Sequence, residues 1–297
     1  MSAGAPSSSL PPPRAASLNG SSTYLERLAA RVEHVGTTLC LGIDPDPQAL
    51  PRGFTPDCDG VEGFARLLIE AASPYAAAVK VNLAFFEAFG SDGVAALERI
   101  RAVVQAEIPF IADAKRGDIA STAARQATAL FDALGADAIT VNPYLGREAL
   151  APFLERSDRF VYVLCRTSNL GAGEFQSLRL DDGEPLYVRV ARHAASWWDS
   201  GDQVGLVVGA TAPAELTEIR EVAPELPFLV PGVGAQGGDV EAVTSAGPAR
   251  TGAAAARPGS GLLVNLSRGI ASAALESADP GTALARAAEG WAQQLHI

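Results

Sequence analysis

Eight short apolar runs, rich in β-branched residues, recur along this chain and are separated by longer stretches with helical periodicity. The runs lie at 37–44, 77–84, 109–115, 138–143, 160–167, 203–210, 227–233 and 261–268. The stretches between them include the amphipathic segments 94–106 and 122–135. Eight near-continuous apolar strands with helical crossovers are what a parallel (β/α)8 TIM barrel requires. We therefore predict such a barrel; an open doubly wound sheet is the alternative that a strand count alone leaves open.

The length of 297 residues suits one barrel domain, which we place at residues 21–297. Residues 1–20 are rich in Ala, Ser and Pro and include one charged side chain, a composition that cannot bury enough apolar surface to fold. We predict a disordered N-terminal tail there. A second Gly-, Pro- and Ala-rich stretch at 247–261 is predicted to be a surface loop.

Charge and composition exclude several classes of protein. A net charge of −11 argues against nucleic-acid or anionic-membrane partners, and no apolar run reaches the roughly 18 residues of a membrane span. The three cysteines and three histidines fit neither a zinc spacing nor a disulfide framework, so we predict no metal site. Sparse cysteines and the lack of a secretory signal indicate a reducing, cytoplasmic location.

Charged residues cluster in the second half, or at the end, of the predicted strands. In a barrel those ends form one rim, where active sites are assembled. The residues concerned are Asp44, Lys80, Asp113, Lys115, Arg166 and Arg268.

This set contains the only two lysines among the 23 basic residues, Lys80 and Lys115. A lysine ammonium can give up its proton, whereas arginine is effectively always protonated. Asp113 and Lys115 are two positions apart on one strand and should share a face, and Asp118 follows where that strand gives way to a helix. With Lys80 on the preceding strand, we expect a Lys–Asp–Lys–Asp set around one small ligand, its members keeping each other ionised. A structural ion-pair network is the alternative.

The seventh run ends in PGVGAQGGD, residues 231–239, which contains the GxGxxG spacing of dinucleotide sites. It follows the seventh strand rather than the first of a βαβ unit, and no acidic residue lies some twenty positions on. Barrels commonly bind phosphate in the loops after strands seven and eight. We therefore predict a phosphate site to which Gln236 adds an amide and Arg268 a guanidinium. A plain glycine-rich turn is the alternative.

Taken together, these segments resemble the orotidine 5′-phosphate decarboxylase family, in particular its longer, actinobacterial-like subgroup. The resemblance runs from about residue 37 to 270, in the family's order, through LCLGIDPDP, VKVN, DAKRGDI, VNPYLG, RTSNLG, PGVGAQGGD and NLSRGI. The combination of DxKxxDI, an upstream lysine and a downstream GVGAQGG is specific, although no single piece is.

The resemblance implies decarboxylation of orotidine 5′-phosphate to uridine 5′-phosphate in de novo pyrimidine biosynthesis, without a cofactor. It also implies a homodimer of barrels with active sites at the subunit interface. Lys115 would give the proton to C6, Asp113 would lie near the scissile carboxylate, and Lys80 would orient that network. The other implied positions are Asp44 at the ribose hydroxyls, Ser168 at the pyrimidine edge, Gln236 and Arg268 at the phosphate, Pro231 within the substrate-binding set, and Asp118, Ile119 and Thr122 in the partner's site.

Three alternatives stay open. The polar segment 169–186 after the fifth run is either a lid over the substrate or a disordered insertion. A Mg²⁺-dependent phosphosugar lyase or decarboxylase of the same superfamily would need an acidic ligand on the strand where Lys80 and Asn82 stand. A non-catalytic nucleotide-phosphate binder would not need Lys115 flanked by two carboxylates.

Overall fold

The computed structural model describes residues 22–197, 202–234 and 237–297. In these residues eight parallel strands pair in chain order, and the last pairs with the first to close a barrel. The strands are β1 (Leu39–Ile43), β2 (Ala78–Asn82), β3 (Phe110–Arg116), β4 (Ala138–Val141), β5 (Phe160–Arg166), β6 (Val204–Val208), β7 (Phe228–Pro231) and β8 (Leu262–Leu266). Each coincides with one apolar run, which confirms the (β/α)8 barrel and excludes the open sheet.

Helices separate the strands and surround the barrel. Those in the described residues are α1 (Tyr24–Val35), α2 (Cys58–Ala72), α3 (Ala84–Glu87), α4 (Gly90–Val103), α5 (Ala120–Ala127), α6 (Arg147–Leu154), α7 (Gly173–Gln176), α8 (Leu186–Ser196), α9 (Pro213–Val222), α10 (Val240–Ala246), α11 (Gly252–Ala255), α12 (Arg268–Ala271) and α13 (Pro280–Gln294). None of them is both long and apolar enough to cross a membrane.

Helix α1 covers the N-terminal end of the barrel. Thr23 and Glu26 form a capping box at its start, which satisfies backbone N–H groups that have no partner within the helix. Its first residue, Tyr24, stacks on Phe160 at the start of β5 with ring centroids 4.7 Å apart. The apolar cover at this end leaves the C-terminal ends of the strands as the face that can hold a ligand.

Two segments depart from the sequence prediction. The expected helix over 122–135 is α5 followed by a π-helical turn, Thr128–Ala133. The stretch 247–261 is not a simple surface loop, because α11 lies within it and Ala254 is buried. Its small residues allow this packing: a Cβ on Gly259 would lie 2.9 Å from Val32 of α1. The predicted tail, residues 1–20, lies outside the described residues.

Candidate active site

A cavity of about 460 Å³ lies at the C-terminal end of the barrel. All eight strands, or the loops that follow them, contribute to its wall. Its polar lining consists of Asp44, Lys80, Asp113, Lys115, Thr140, Thr167, Ser168, Asn169, Gln176, Asn265, Ser267 and Arg268. The barrel therefore brings the predicted strand-end charges together, with one exception: Arg166 is not among the lining residues and instead lies 3.7 Å from Glu215.

Four charged side chains form a continuous chain along one side of the cavity. Lys80 Nζ lies 2.9 Å from Asp113 Oδ2 and 3.7 Å from Asp44 Oδ1. Lys115 Nζ donates to the other oxygen of Asp113, Oδ1, at 2.6 Å. Asp113 thus bridges the two lysines, as the sequence predicted, and the fourth member of the chain is Asp44.

Burial of this chain sets its charge state. The Lys80 and Asp113 side chains are 5% and 11% exposed. Burial alone would lower the pKa of Lys80, but attraction to Asp113 and Asp44 outweighs it and raises that pKa above its usual value. Burial likewise opposes ionisation of Asp113, yet the two ammonium groups hold the pKa of its carboxyl well below the usual range. Lys80 and Asp113 are therefore both charged near neutral pH. The Lys115 side chain is less buried than either: it is 49% exposed and lines the cavity.

The backbone at Lys115 is unusual. Its φ is +47°, in the left-handed region that non-glycine residues seldom occupy. The pairing of β3 with β4 is also irregular there: Ala112 faces Ile139, and the next pair is Arg116 with Val141. The predicted shared face of Asp113 and Lys115 is present, but an irregular strand end produces it. Strained backbone of this kind is concentrated at functional sites.

Asp118 does not join the charged chain of its own barrel. It lies in the loop between β3 and α5 and is not part of the cavity lining. One of its carboxylate oxygens accepts a hydrogen bond from the N–H of Ile119 at 2.7 Å. Ile119 is 61% exposed, and Thr122 is exposed on α5. Within one chain, the structure therefore brings Lys80, Asp113 and Lys115 to the cavity but not Asp118, because β3 ends at Arg116, two residues before it.

The predicted phosphate end is present in part. Pro231 and Arg268 both line the cavity, and Arg268 begins α12 directly after β8. Gly232 has a φ of +101°, a conformation that favours glycine, and its carbonyl accepts from the Gly238 N–H at 3.0 Å. Gln236 lies outside the described residues.

The segment 169–186 is folded, in contrast to the disordered insertion that the sequence left open. It contains α7 and a short antiparallel bridge between Arg179 and Pro185. Gln176 of α7 accepts from the Thr167 N–H at 2.9 Å and donates to the Thr167 hydroxyl at 2.8 Å. This amide holds the chain beside Ser168, which lines the cavity as predicted.

Several lining residues escaped the sequence reasoning. Thr140 and Asn265 are single polar residues inside apolar strands, and that isolation was the available signal. Asn265 Oδ1, Ser267 Oγ and Asp44 Oδ1 are buried and have no hydrogen-bond partner among the described residues. In the cavity wall, these atoms are available to form hydrogen bonds with a polar ligand. Within the same described ranges, no three His, Cys, Asp or Glu side chains are grouped so that they could hold a metal ion.

Comparisons with known proteins agree with this geometry. Residues 37–286 match the family described as orotidine 5′-phosphate decarboxylase / HUMPS. The orotidine 5′-phosphate decarboxylase of Halorubrum lacusprofundi is 50% identical over 260 residues, which cover 87% of this chain and 91% of that protein. Among solved structures, Leishmania donovani OMP decarboxylase is 40% identical with a TM-score of 0.77, over 92% of this chain and 97% of that one.

The chain also matches Leishmania donovani UMP synthase, at 41% identity and a TM-score of 0.79, over 92% of this chain. It spans only 56% of that protein's length. The match to the family covers most of the chain and includes every charged residue of the cavity. The chain belongs to the orotidine 5′-phosphate decarboxylase / HUMPS family.

Proposed function

We propose that this protein decarboxylates orotidine 5′-phosphate to uridine 5′-phosphate, a step of de novo pyrimidine biosynthesis, in the cytoplasm and without a cofactor. One observation carries the proposal: the only two lysines of the chain face one cavity and are bridged there by a buried, ionised Asp113. A binding protein for a nucleotide phosphate has no use for a carboxylate held between two ammonium groups. A carbanion-forming enzyme has such a use.

The reaction places a negative charge on carbon. The bond between C6 and the carboxylate breaks, CO₂ leaves, and the electron pair stays at C6 of a ring that has no adjacent electron sink. The half-exposed ammonium of Lys115 stabilises that pair and then donates a proton to C6. The neutral amine regains a proton from water.

Asp113 and Lys80 prepare this step. Asp113 accepts from Lys115 and fixes the direction of its ammonium, and Lys80 keeps Asp113 ionised from the other side. A substrate carboxylate seated beside Asp113 is repelled by it, and departure of CO₂ removes this repulsion.

Binding groups lie away from the reacting carbon. Arg268 and Gln236 receive the phosphate, Asp44 the ribose hydroxyls, and Ser168 the pyrimidine edge, and Pro231 at the end of β7 also belongs to the substrate-binding set. Three of these assignments draw support from the cavity wall, where Arg268, Asp44 and Ser168 are found together. Binding energy from the remote phosphate is then available to lower the barrier at C6.

The active sites are shared between two subunits in this proposal. Asp118, Ile119 and Thr122 reach the partner's cavity, which accounts for their position outside their own. Exposed apolar side chains after β3 and β4 support the pairing: Ile119 follows β3, and Tyr144 and Leu145 follow β4.

A Mg²⁺-dependent relative of the same superfamily would place an acidic metal ligand on β2. The residues present there, Lys80 and Asn82, include a buried cation that disfavours a divalent ion. In the proposed reaction, the side chains of the protein therefore act without a divalent metal ion.

Ultraviolet absorbance of orotidine 5′-phosphate mixed with the purified protein tests the proposal. We expect rapid loss of the orotate absorbance at the same rate with and without EDTA. Loss that stops with EDTA and returns with Mg²⁺ would favour the metal-dependent relative. Binding of the nucleotide with no loss of absorbance would favour a non-catalytic binder.

A further inference from the structure

The N–H of Lys115 needs a partner that the sheet does not provide. From the pair Ala112–Ile139 to the pair Arg116–Val141, β3 advances by four residues and β4 by only two. The regular hydrogen bonding between the two strands is therefore interrupted there. It resumes only where the Asn142 N–H donates to the Arg116 carbonyl at 2.7 Å. A partly buried N–H left without an acceptor would destabilise the left-handed conformation of Lys115.

Thr140 fills this gap from the middle of β4. Its hydroxyl oxygen accepts from the Lys115 N–H at 3.0 Å, and the same oxygen lies 2.8 Å from Asp113 Oδ1. An amide N–H can only donate, and the ionised carboxylate can only accept. The single hydroxyl proton must therefore point to Asp113, which fixes the direction of both hydrogen bonds.

The position of Thr140 makes this arrangement rigid. Its side chain is fully buried at the wall of the cavity, and its strand pairs on the far side with β5, where Thr140 faces Tyr162. A β-branched side chain has restricted rotation about its first torsion, so the hydroxyl is held in place before any ligand binds. One rigid group thus touches the backbone of the proton donor and the carboxylate that orients its ammonium.

We propose that Thr140 is a positioning residue for decarboxylation: its hydroxyl holds the strained backbone of Lys115 and the carboxylate of Asp113 in register with each other. The inference rests on the proposed function and adds to it a group outside the lysine–aspartate chain. Thr140 acts on the reacting carbon only through its two neighbours. Its loss therefore reduces the rate of the chemical step and leaves nucleotide affinity unchanged.

The test compares Thr140→Val and Thr140→Ser with the wild type and with a matched control, Thr38→Val. Lys115→Ala gives the lowest activity expected. Valine keeps the shape of threonine and removes both hydrogen bonds, whereas serine keeps the hydroxyl. Thr38 is equally buried, and its hydroxyl meets the Leu295 carbonyl at the opposite end of the barrel, 3.5 Å away. The measurements are kcat, KM, the dissociation constant of uridine 5′-phosphate, and the thermal midpoint of unfolding.

For Thr140→Val we expect kcat to fall about 10- to 100-fold, with KM and product affinity changed less than about threefold, because misplaced catalytic groups slow chemistry rather than binding. Thr140→Ser should recover most of the loss, and Thr38→Val should keep the wild-type kcat at a similar thermal midpoint. Where the valine variant does not fold, Thr140→Ala removes the same bonds with a smaller side chain.

Wild-type kcat in Thr140→Val, or a loss that appears only in KM, would overturn the inference while the decarboxylase itself stands. Equal loss in the serine and valine variants would reduce Thr140 to a packing residue. An inactive wild type would instead remove the proposed function, and the positioning role with it.

Discussion

Lys115 combines a strained backbone with a half-exposed ammonium, and the two properties belong together. Its φ of +47° turns the side chain out of the strand end towards the cavity, where Asp113 holds Nζ at 2.6 Å. The cost of a left-handed non-glycine residue persists only where the surroundings enforce it. The groups that hold Lys115 in this conformation are Asp113, which binds its ammonium, and Thr140, which binds its N–H.

Lys115→Ala should lower kcat by at least about a thousandfold, because it removes both the proton donor and the charge that stabilises the carbanion. Lys115→Arg is the matched control, since it keeps the positive charge but does not release its proton. Both variants should remain slow and still bind uridine 5′-phosphate. Turnover near the wild-type rate in either one, followed by product formation, would remove Lys115 from its role as donor.

The pair of Lys80 and Asp113 predicts how stability depends on pH. The pKa of Asp113 is lowered by folding, so its stabilisation is complete above the unfolded value of about 3.9 and is lost as the pH falls further. The pKa of Lys80 is raised, so its stabilisation is present below about 10.4 and is lost above that pH. The stabilising effect of the pair therefore spans the whole neutral range.

Asp113→Asn should lower the free energy of unfolding by about 3 kcal/mol, since it leaves Lys80 buried with one carboxylate fewer. The difference from wild type should be constant between about pH 5 and 9 and shrink below about pH 4, where the Asp113 carboxyl of the unfolded wild-type chain begins to protonate. Denaturant titrations across that range measure it. A difference that grows on acidification would contradict the assigned charge state.

At the residue scale, the sequence was most informative where it uses a residue type that is rare in this chain. Two lysines in an arginine-rich chain marked the centre of the site, and the spacing of Asp113 and Lys115 placed them on one face. Thr140 and Asn265 were missed because one polar residue in an apolar strand also fits ordinary core packing. The position of Asp118 outside its own cavity was not predictable from spacing, because spacing along the chain does not reveal where a loop leaves the cavity.

At the scale of elements, the ends of β5 and β6 approach so closely that they set the position of Ser168. A Cβ on Gly209, just after β6, would lie 2.8 to 2.9 Å from the backbone and Cβ of Ser168. The Gly209 N–H also donates to the Arg166 carbonyl at 2.7 Å, which ties the two strand ends together. Glycine at this position is therefore required for the close approach that places Ser168 in the cavity wall.

Gly209→Ala should raise KM about tenfold or more with a smaller change in kcat, because the added methyl displaces Ser168 from a binding wall rather than from the reacting carbon. Gly290→Ala is the control: nothing lies near its added Cβ, and in α13 it should stabilise the helix by about 0.5 to 1 kcal/mol. Steady-state kinetics and thermal unfolding of both variants decide the matter. An unchanged KM in Gly209→Ala would contradict the role given to Ser168.

The elements themselves were largely predictable. Strands buried on both faces leave near-continuous apolar runs, so all eight were located from the sequence. The π-helical turn Thr128–Ala133 and the packed segment around Gly259 were not, since both depend on close contacts with other parts of the fold.

At the scale of the whole molecule, the proposed pair of barrels would explain why Asp118, Ile119 and Thr122 lie outside their own cavity. If two subunits share each site, mixing Lys115→Ala with Asp118→Ala protein should regenerate about a quarter of the wild-type sites in random hybrids, because one of the two sites in each mixed dimer contains neither change. Each variant alone should be nearly inactive. Kinetics after mixing and subunit exchange measure the recovery, and hybrids that form without activity would rule out sharing.

In the proposed reaction, the C6–carboxylate bond breaks beside the protein's own lysine–aspartate chain, and Lys115 returns a proton to C6. Proton NMR of orotidine 5′-phosphate turned over in heavy water by EDTA-treated protein tests it most directly. We expect complete conversion to uridine 5′-phosphate with one deuterium at C6, because the ammonium of Lys115 exchanges its protons with solvent before it donates. Intact substrate after prolonged incubation, or conversion only when Mg²⁺ is restored, would contradict the account.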